Sequence, residues 1–224
     1  MIEIEKTADG SNTLFVPELD EHYHSVKGAQ TESEHIFINM GFKYSNADEP
    51  KILEIGFGTG LNAFLTLLES EKMKRKVFYT SIEKYPLSED TVHSLGYPEK
   101  ISPGNSNAAD EFYSLHTAQW NVPVSVNSFF TLEKIEGDYT TYNFRNGYDI
   151  IYFDAFAPEK QPEMWSQDLF NNLFNILNNG GILTTYCAKG IVRRMLQAAG
   201  FIVERLPGPP GGKREILRAT KNIV

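Results

Sequence analysis

The sequence predicts an α/β domain: a mostly parallel sheet with helices on both faces, ending in an antiparallel hairpin. Three observations carry that prediction. Strand-like and helix-like segments alternate from residue 51 onward, a pattern that builds a parallel sheet covered on both faces. The run Leu53-Glu54-Ile55-Gly56-Phe57-Gly58-Thr59-Gly60-Leu61-Asn62 takes the chain from an apolar strand through a glycine loop into a helix. The last two strand-like segments, 201–206 and 215–219, are joined by Pro207-Gly208-Pro209-Pro210-Gly211-Gly212 with no helix between them. A parallel connection needs a dozen or more residues, so these two must pair antiparallel.

The elements follow in order. Residues 1–50 read as an N-terminal extension packed on a catalytic domain, 51–224. Within it, 13–16 is strand-like, and 30–40 predicts a helix with Ile36, Phe37 and Met40 on one side. Pro50 precedes the first certain strand, 51–55. The helix 61–72 presents Leu61, Phe64, Leu65, Leu67 and Leu68 to a core. A strand at 77–82 ends at Glu83, and 88–95 is helical. Residues 96–125 are mixed, with Phe112, Leu115 and Trp120 suggesting helical packing. Strands follow at 128–135, before Gly137-Asp138, and at 148–153, before Asp154. A helix at 166–177 stops at Asn178-Asn179-Gly180-Gly181, read as a C-terminal cap. Then come a strand at 182–186, a helix at 190–199 closed by Gly200, and the final hairpin. A parallel sheet finished this way is the layout of the Rossmann-like class I methyltransferases.

Composition bounds the function. The chain has 224 residues, of which 41% are hydrophobic and 22% charged, ordinary for a globular domain. No apolar run approaches the ~20 residues of a membrane span, and the first residues lack a signal-peptide layout. A cytoplasmic protein is expected, with no membrane partner. The single cysteine, Cys187, excludes an internal disulfide and a cysteine zinc cage. The five histidines show no ligand spacing, so no metal is expected. A net charge of −8 argues against non-specific coating of nucleic acid. Basic residues gather late, at Arg193, Arg194, Arg205, Lys213, Arg214, Arg218 and Lys221. They form either a local binding patch or a solvated surface.

The glycine loop departs from the dinucleotide fingerprint. There the third glycine comes three positions after the second, and the loop seats a pyrophosphate. Here it comes after two, and Glu54 stands at the strand end. A carboxylate there repels pyrophosphate and suits an ammonium or a sulfonium. S-adenosylmethionine carries both. Ligands in such sheets bind beyond the carboxyl ends of the strands, which selects Glu54, Glu83, Asp138 and Asp154. Glu83 is placed to accept the ribose hydroxyls, with Lys84 beside it. Asp138 is placed to accept the adenine amine, although Gly137-Asp138 is also simple turn chemistry. Asp154 is placed to orient an amine and take its proton. Phe156 is placed to stack on a planar substrate, and Trp165 reads as core.

Several of these segments together resemble the methyltransferase domain of the MnmC-type enzymes. They are Gly56-Phe57-Gly58-Thr59-Gly60-Leu61-Asn62, Glu83-Lys84-Tyr85-Pro86-Leu87, Gly137-Asp138, and Asp154-Ala155-Phe156-Ala157-Pro158 with Pro162-Glu163-Met164-Trp165. The late segments Val192-Arg193-Arg194 and Gly212-Lys213-Arg214-Glu215, and Glu32 with Phe37, add to them. The resemblance implies N-methylation of the aminomethyl group of 5-aminomethyl-2-thiouridine at the tRNA wobble position. It implies that the cofactor is held by Glu54, Gly56, Phe57, Gly58, Thr59, Gly60, Asn62, Glu83, Lys84 and Asp138. It places Asp154 and Phe156 at the chemistry, with Pro158, Arg193, Arg194, Lys213 and Arg214 on the anticodon region. The family's best-known form also has an FAD-dependent domain. The chain stops at Val224, so a separate upstream enzyme is expected to supply the aminomethyl group. Ala155 stands where a glycine is usual, and Pro209-Pro210 replaces a more compact turn, so fine substrate choice stays open. A small-molecule amine methyltransferase, a nicotinamide enzyme and a non-catalytic nucleotide-binding module remain alternatives.

Overall fold

The computed structural model describes residues 2–222. An eight-stranded sheet runs through it in the order β10-β11-β9-β8-β4-β5-β7-β6. Its parallel centre is β9 (Leu177–Thr185), β8 (Tyr148–Phe153), β4 (Lys51–Ile55), β5 (Val77–Glu83) and β7 (Phe130–Glu136). β10 (Ile202–Pro207) pairs antiparallel with β11 (Glu215–Thr220), and β11 antiparallel with β9, as the short turn requires. A short strand in the mixed region, β6 (Pro123–Ser125), adds an antiparallel edge beyond β7. Its brevity and its proline suit an edge.

The central strands alternate between two cores. Ile52, Tyr79, Leu132, Ile150 and Tyr152 face a layer containing Phe64 and Phe112, from α2 (Leu61–Met73) and α5 (Ala108–Thr117). Leu53, Ile55, Ile82, Ile151, Phe153 and Leu183 face the other layer, with Leu169, Phe170 and Val192 from α6 (Gln167–Ile176) and α7 (Gly190–Ala198). Period-two alternation with both faces apolar is what a sheet covered twice demands. Each such side chain removed from water stabilises by about 1.5–3 kcal/mol. Helix starts are specified locally. Ser166 Oγ accepts from Leu169 N at the head of α6, and Ser88 Oγ from Thr91 N at the head of α3 (Glu89–Leu95). A short α4 (Tyr97–Ile101) follows α3.

Residues before 50 carry more structure than the sequence suggests. β1 (Glu3–Lys6), β2 (Asn12–Val16) and β3 (Glu21–His22) form a small antiparallel sheet. The helix expected at 30–40 begins as α1 (Ala29–Ser33) and widens into a π-helix, Glu34–Phe42. Arg75 ends it, its guanidinium donating to the carbonyls of Phe42, Ser45 and Ala47. Phe37 packs on Tyr152 of the central sheet with ring centroids 5.1 Å apart. The expected cap Asn178-Asn179-Gly180-Gly181 lies inside β9 instead. β9 begins directly after α6, and its pairing with β8 is irregular between Tyr148↔Leu177 and Ile150↔Ile182. Gly180 absorbs the irregularity at φ +77°. No helix among the described residues is long and apolar enough to cross a membrane. Among the same residues no cluster of three or more His, Cys, Asp or Glu suits a metal ion.

Candidate active site

Sheet order reverses at β4, with β5 on one side and β8 on the other, and a cleft forms there beyond their carboxyl ends, as open α/β sheets favour. After Ile55 the chain turns through Gly56, Gly58 and Gly60 with φ of +92°, +50° and +73°. Those angles strain any L side chain. A Cβ on Gly58 would also lie 3.0 Å from the Tyr23 ring. The loop amide of Gly58 donates to Glu83 Oε2 at 2.9 Å, and Tyr85 N donates to Glu83 Oε1 at 2.8 Å. Glu83 is thus held at the end of β5 with lone pairs to spare for a ligand hydroxyl.

Asp138 follows β7. Lys84 Nζ donates to its Oδ2 at 2.8 Å, and Thr140 N and Oγ1 donate to its Oδ1 at 2.9 and 2.6 Å. Lys84 and Thr140 together hold the carboxyl down to about 2, so it stays a charged acceptor. Asp154 follows β8. Its Oδ2 accepts from Asn62 Nδ2 at 2.8 Å, and burial pushes its pKa up to about 7. The loop behind it is fastened twice. Trp165 Nε1 donates to the Phe156 carbonyl and Tyr186 Oη to the Ala155 carbonyl, both at 2.8 Å. Trp165 itself is buried against Phe153 at 4.8 Å.

Gly56, Phe57, Gly58, Thr59, Asn62, Glu83, Lys84, Asp138, Asp154 and Phe156 line this one cleft. Glu54 and Gly60 do not. Glu54 shares the parity of Ile52, so its side chain turns under α2 and is fully buried. It therefore offers no carboxylate to a ligand, which corrects the expectation of direct contact. Gly60 begins α2, its carbonyl accepting from Phe64 N, and its Cα faces His116 rather than the cleft. Pro158, Arg193, Arg194, Lys213 and Arg214 also lie outside the lining. Arg194 and Arg214 are exposed, whereas Arg193 is partly buried. Lys213 Nζ pairs with Glu32 and sits 4.4 Å from the Tyr186 ring centroid.

The structure adds a wall the sequence did not reveal. Tyr23 and His24, just after β3, line the cleft. Tyr23 meets Phe156 edge-on at 5.1 Å. His24 Nε2 lies 2.9 Å from Thr59 Oγ1, and burial pushes its pKa down to about 4, keeping it neutral. Gln161, Glu163 and Met164 close the other side. Glu163 and Met164 belong to the Pro162-Glu163-Met164-Trp165 segment already quoted for the family resemblance, whereas nothing above marked Gln161.

The donor set selects the ligand. Glu83, Asp138, Asp154 and Glu163 bring carboxylates to the cleft, and the one Lys or Arg among the lining residues, Lys84, is paired with Asp138. That arrangement disfavours a pyrophosphate and fits a cationic nucleoside with free ribose hydroxyls. S-adenosylmethionine is such a ligand.

Comparison with known proteins agrees. A family model described as S-adenosyl-L-methionine-dependent methyltransferase matches residues 114–222. The tRNA 5-methylaminomethyl-2-thiouridine biosynthesis bifunctional protein MnmC of Aeromonas salmonicida is 32% identical over 212 residues, covering 83% of this chain and 30% of that protein. Its counterpart in Leptospira borgpetersenii is 35% identical over 216 residues, covering 88% of this chain and 32% of that protein. The chain thus spans about a third of the length of the curated relatives it matches. The crystal structure of MNMC2 from Aquifex aeolicus superposes with a TM-score of 0.77 at 27% identity, covering all of this chain and 72% of that one. Spermidine synthase from Thermotoga maritima shares the fold, with a TM-score of 0.57 at 14% identity.

Proposed function

The chain is an MnmC-type S-adenosyl-L-methionine-dependent methyltransferase domain, and from that premise we propose that it N-methylates the aminomethyl group of 5-aminomethyl-(2-thio)uridine at the tRNA wobble position. The observation that carries the proposal is Asp154: a carboxylate anchored by Asn62 in a cleft that Phe156 also lines. The cofactor supplies an electrophilic methyl on a sulfonium. The chain's residues must bind both partners, align them and remove a proton.

A primary amine reaches neutral solution as an ammonium, which has no lone pair with which to attack. Asp154 takes that proton. Its pKa of about 7 lies near the working pH, where a general base is most effective. Glu83 receives the ribose hydroxyls and Asp138 the adenine amine, with Gly56, Phe57, Gly58 and Thr59 shaping the loop between. Phe156 and Tyr23 give a planar pyrimidine an aromatic surface. Residues 1–50 act as an extension that closes this side of the cleft over the catalytic domain, 51–224. Arg194 and Arg214, with Arg193, Lys213 and Pro158, face the anticodon backbone outside the cleft. An upstream activity supplies the aminomethyl group, and the reaction belongs to the cytoplasm.

A second reading, a small-molecule amine as acceptor, draws on one observation: the late basic residues all lie outside the cleft lining. One experiment separates the two. The protein is mixed with labelled S-adenosylmethionine and tRNA from cells blocked at the aminomethyl stage. Label on the wobble nucleoside is the expected result. No label on tRNA, with cofactor binding intact, overturns the proposal, and label on small amines alone supports the second reading.

A further inference from the structure

Tyr23 is held in the cleft by the chain on both sides of it. Its own N donates to the Leu14 carbonyl at 2.9 Å. Next to it, His24 N donates to Thr13 Oγ1 at 3.0 Å, and His24 Nε2 lies 2.9 Å from Thr59 Oγ1. Ser25 N then donates to Glu32 Oε2 at 2.9 Å. Among the described residues no hydrogen bond holds the Tyr23 hydroxyl, so the backbone and the ring contacts place this side chain. One ring contact is with the glycine loop, where a Cβ on Gly58 would lie 3.0 Å from Tyr23 Cδ1 and 3.1 Å from Cε1. The other is with Phe156, at 5.1 Å between centroids and 75° between planes. The two rings therefore form a corner in the cleft rather than a flat wall.

That corner spans the path of the methyl group. On one side Gly58 N is bonded to Glu83, which takes the ribose. On the other, Phe156 follows Asp154 on the same loop, and Asp154 meets the amine. In S-adenosylmethionine one methylene joins the ribose to the sulfur, and the sulfur carries the methyl toward the acceptor. The sulfonium thus belongs between Glu83 and Asp154, in the interval that Tyr23 bridges. Its surroundings suit a cation. Glu83, Asp154 and Glu163 line the cleft, and Lys84 is already paired with Asp138. Aromatic faces attract a cation of this kind, and more strongly where water is excluded. Burial, and after it the Glu83 charge, pushes the Tyr23 hydroxyl up to about 12, so the ring stays a neutral phenol.

We propose that Tyr23 is a binding residue for the cofactor's sulfonium, and that its ring, cornered with Phe156, lets the cleft tell the charged cofactor from its neutral product. As the bond from nitrogen to methyl forms, the bond from sulfur to methyl breaks and its electron pair stays on sulfur. The positive charge leaves with the methyl, and the product is a thioether with nothing for the ring to attract. Tyr23 therefore favours the cofactor before transfer and loosens its hold on the product afterwards. The inference rests on the reading of Glu83 and Asp154 as the two ends of the path. It is independent of which amine is methylated.

The test is calorimetry on the full chain with three ligands. S-adenosylmethionine carries the sulfonium, S-adenosylhomocysteine is neutral at sulfur, and sinefungin carries an ammonium at the same position. Tyr23→Leu should weaken S-adenosylmethionine and sinefungin about 3–30-fold and S-adenosylhomocysteine less than about twofold. Tyr23→Phe, which keeps the ring, should keep the parent's ratio. Equal weakening of all three ligands, as a wall that only shapes the cleft would give, overturns the proposal, and so does no change in any of them. Should Tyr23→Leu unseat the strap and abolish all binding, phenylalanines with successive ring fluorines at position 23 decide the matter. They keep the shape and drain the negative face of the ring. Affinity for S-adenosylmethionine should then fall stepwise with that for S-adenosylhomocysteine unchanged, and a flat series overturns the proposal. None of these measurements uses an amine acceptor. A parent that methylates no tRNA would sink the reading of the function and leave the result for Tyr23 standing.

Discussion

Replacing Gly60 by alanine should destabilise the protein by about 2–5 kcal/mol, and the sum can be worked from its surroundings. Gly60 has φ +73°, where an L side chain costs about 1–2 kcal/mol. The new Cβ would lie 2.6 Å from His116 Nε2 and 3.3 Å from Phe57 Cζ. His116 cannot retreat freely. Its Nε2 is 3.2 Å from the Thr59 carbonyl, and its ring packs on Phe57 at 5.2 Å and Phe112 at 4.9 Å. Losing that hydrogen bond costs about 0.5–1.5 kcal/mol, and weakening an aromatic pair costs a similar amount, roughly 0.5–1.5 kcal/mol. Gly211→Ala is the internal control. Its φ is +71° with nothing within 4 Å of the added Cβ, so it carries the backbone strain without the collision. Urea unfolding of both variants measures the difference, and titration with S-adenosylhomocysteine measures the loop. At about 2–4 °C per kcal/mol, the Gly60→Ala Tm should fall by roughly 4–20 °C. Equal losses in the two variants, with unchanged affinity, would refute the packing argument.

Four further outcomes are expected. Asp154→Asn should lower methyl transfer by about 10²–10⁴ with cofactor affinity retained. In the parent, kcat/KM should rise with pH through about 7, because burial raises the pKa and only the ionised form accepts a proton. Glu83→Ala removes the acceptor for two backbone amides and for the ribose, so calorimetry should show affinity for S-adenosylhomocysteine falling about 30–150-fold, equivalent to roughly 2–3 kcal/mol. Lys213→Met leaves Glu32 buried without its cation. Because the lysine is partly exposed, the loss should be only about 1–2 kcal/mol in urea unfolding, and Glu32→Gln in the same chain should recover most of it.

The sheet was legible because its strands are short apolar runs buried on both faces, and the final hairpin because its connection is too short for a crossover. The strand-end acids were legible because ligands gather there. Parity along a strand was the missing consideration for Glu54. Counting from Ile52 puts it on an interior face, and that inference needs the helix above it. Tyr23 and His24 could not be found by local pattern, since His24 meets Thr59 across 35 positions of sequence. The π-helix at Glu34–Phe42 escaped because its apolar side reads like that of any helix, and Arg75, which ends it, lies far along the chain. Asn178–Gly181 carries cap residues but serves an irregular strand start. Lys213 reads as a surface cation, and its buried partner Glu32 is 181 positions away.

The strap that carries Tyr23 and His24 has a consequence for how the cleft comes into being. Its partners, Thr59, Phe156 and, through Glu32, Lys213, are made later at the ribosome, the last nearly at the end of the described chain. The early segment must therefore wait while the sheet assembles, and contacts of such long sequence separation form slowly. The wall of the cleft is thus synthesised ahead of the sheet it packs on and takes its place after that sheet. Cofactor binding is linked to that final docking step, so ligand should slow the opening of the strap as well as fill the site.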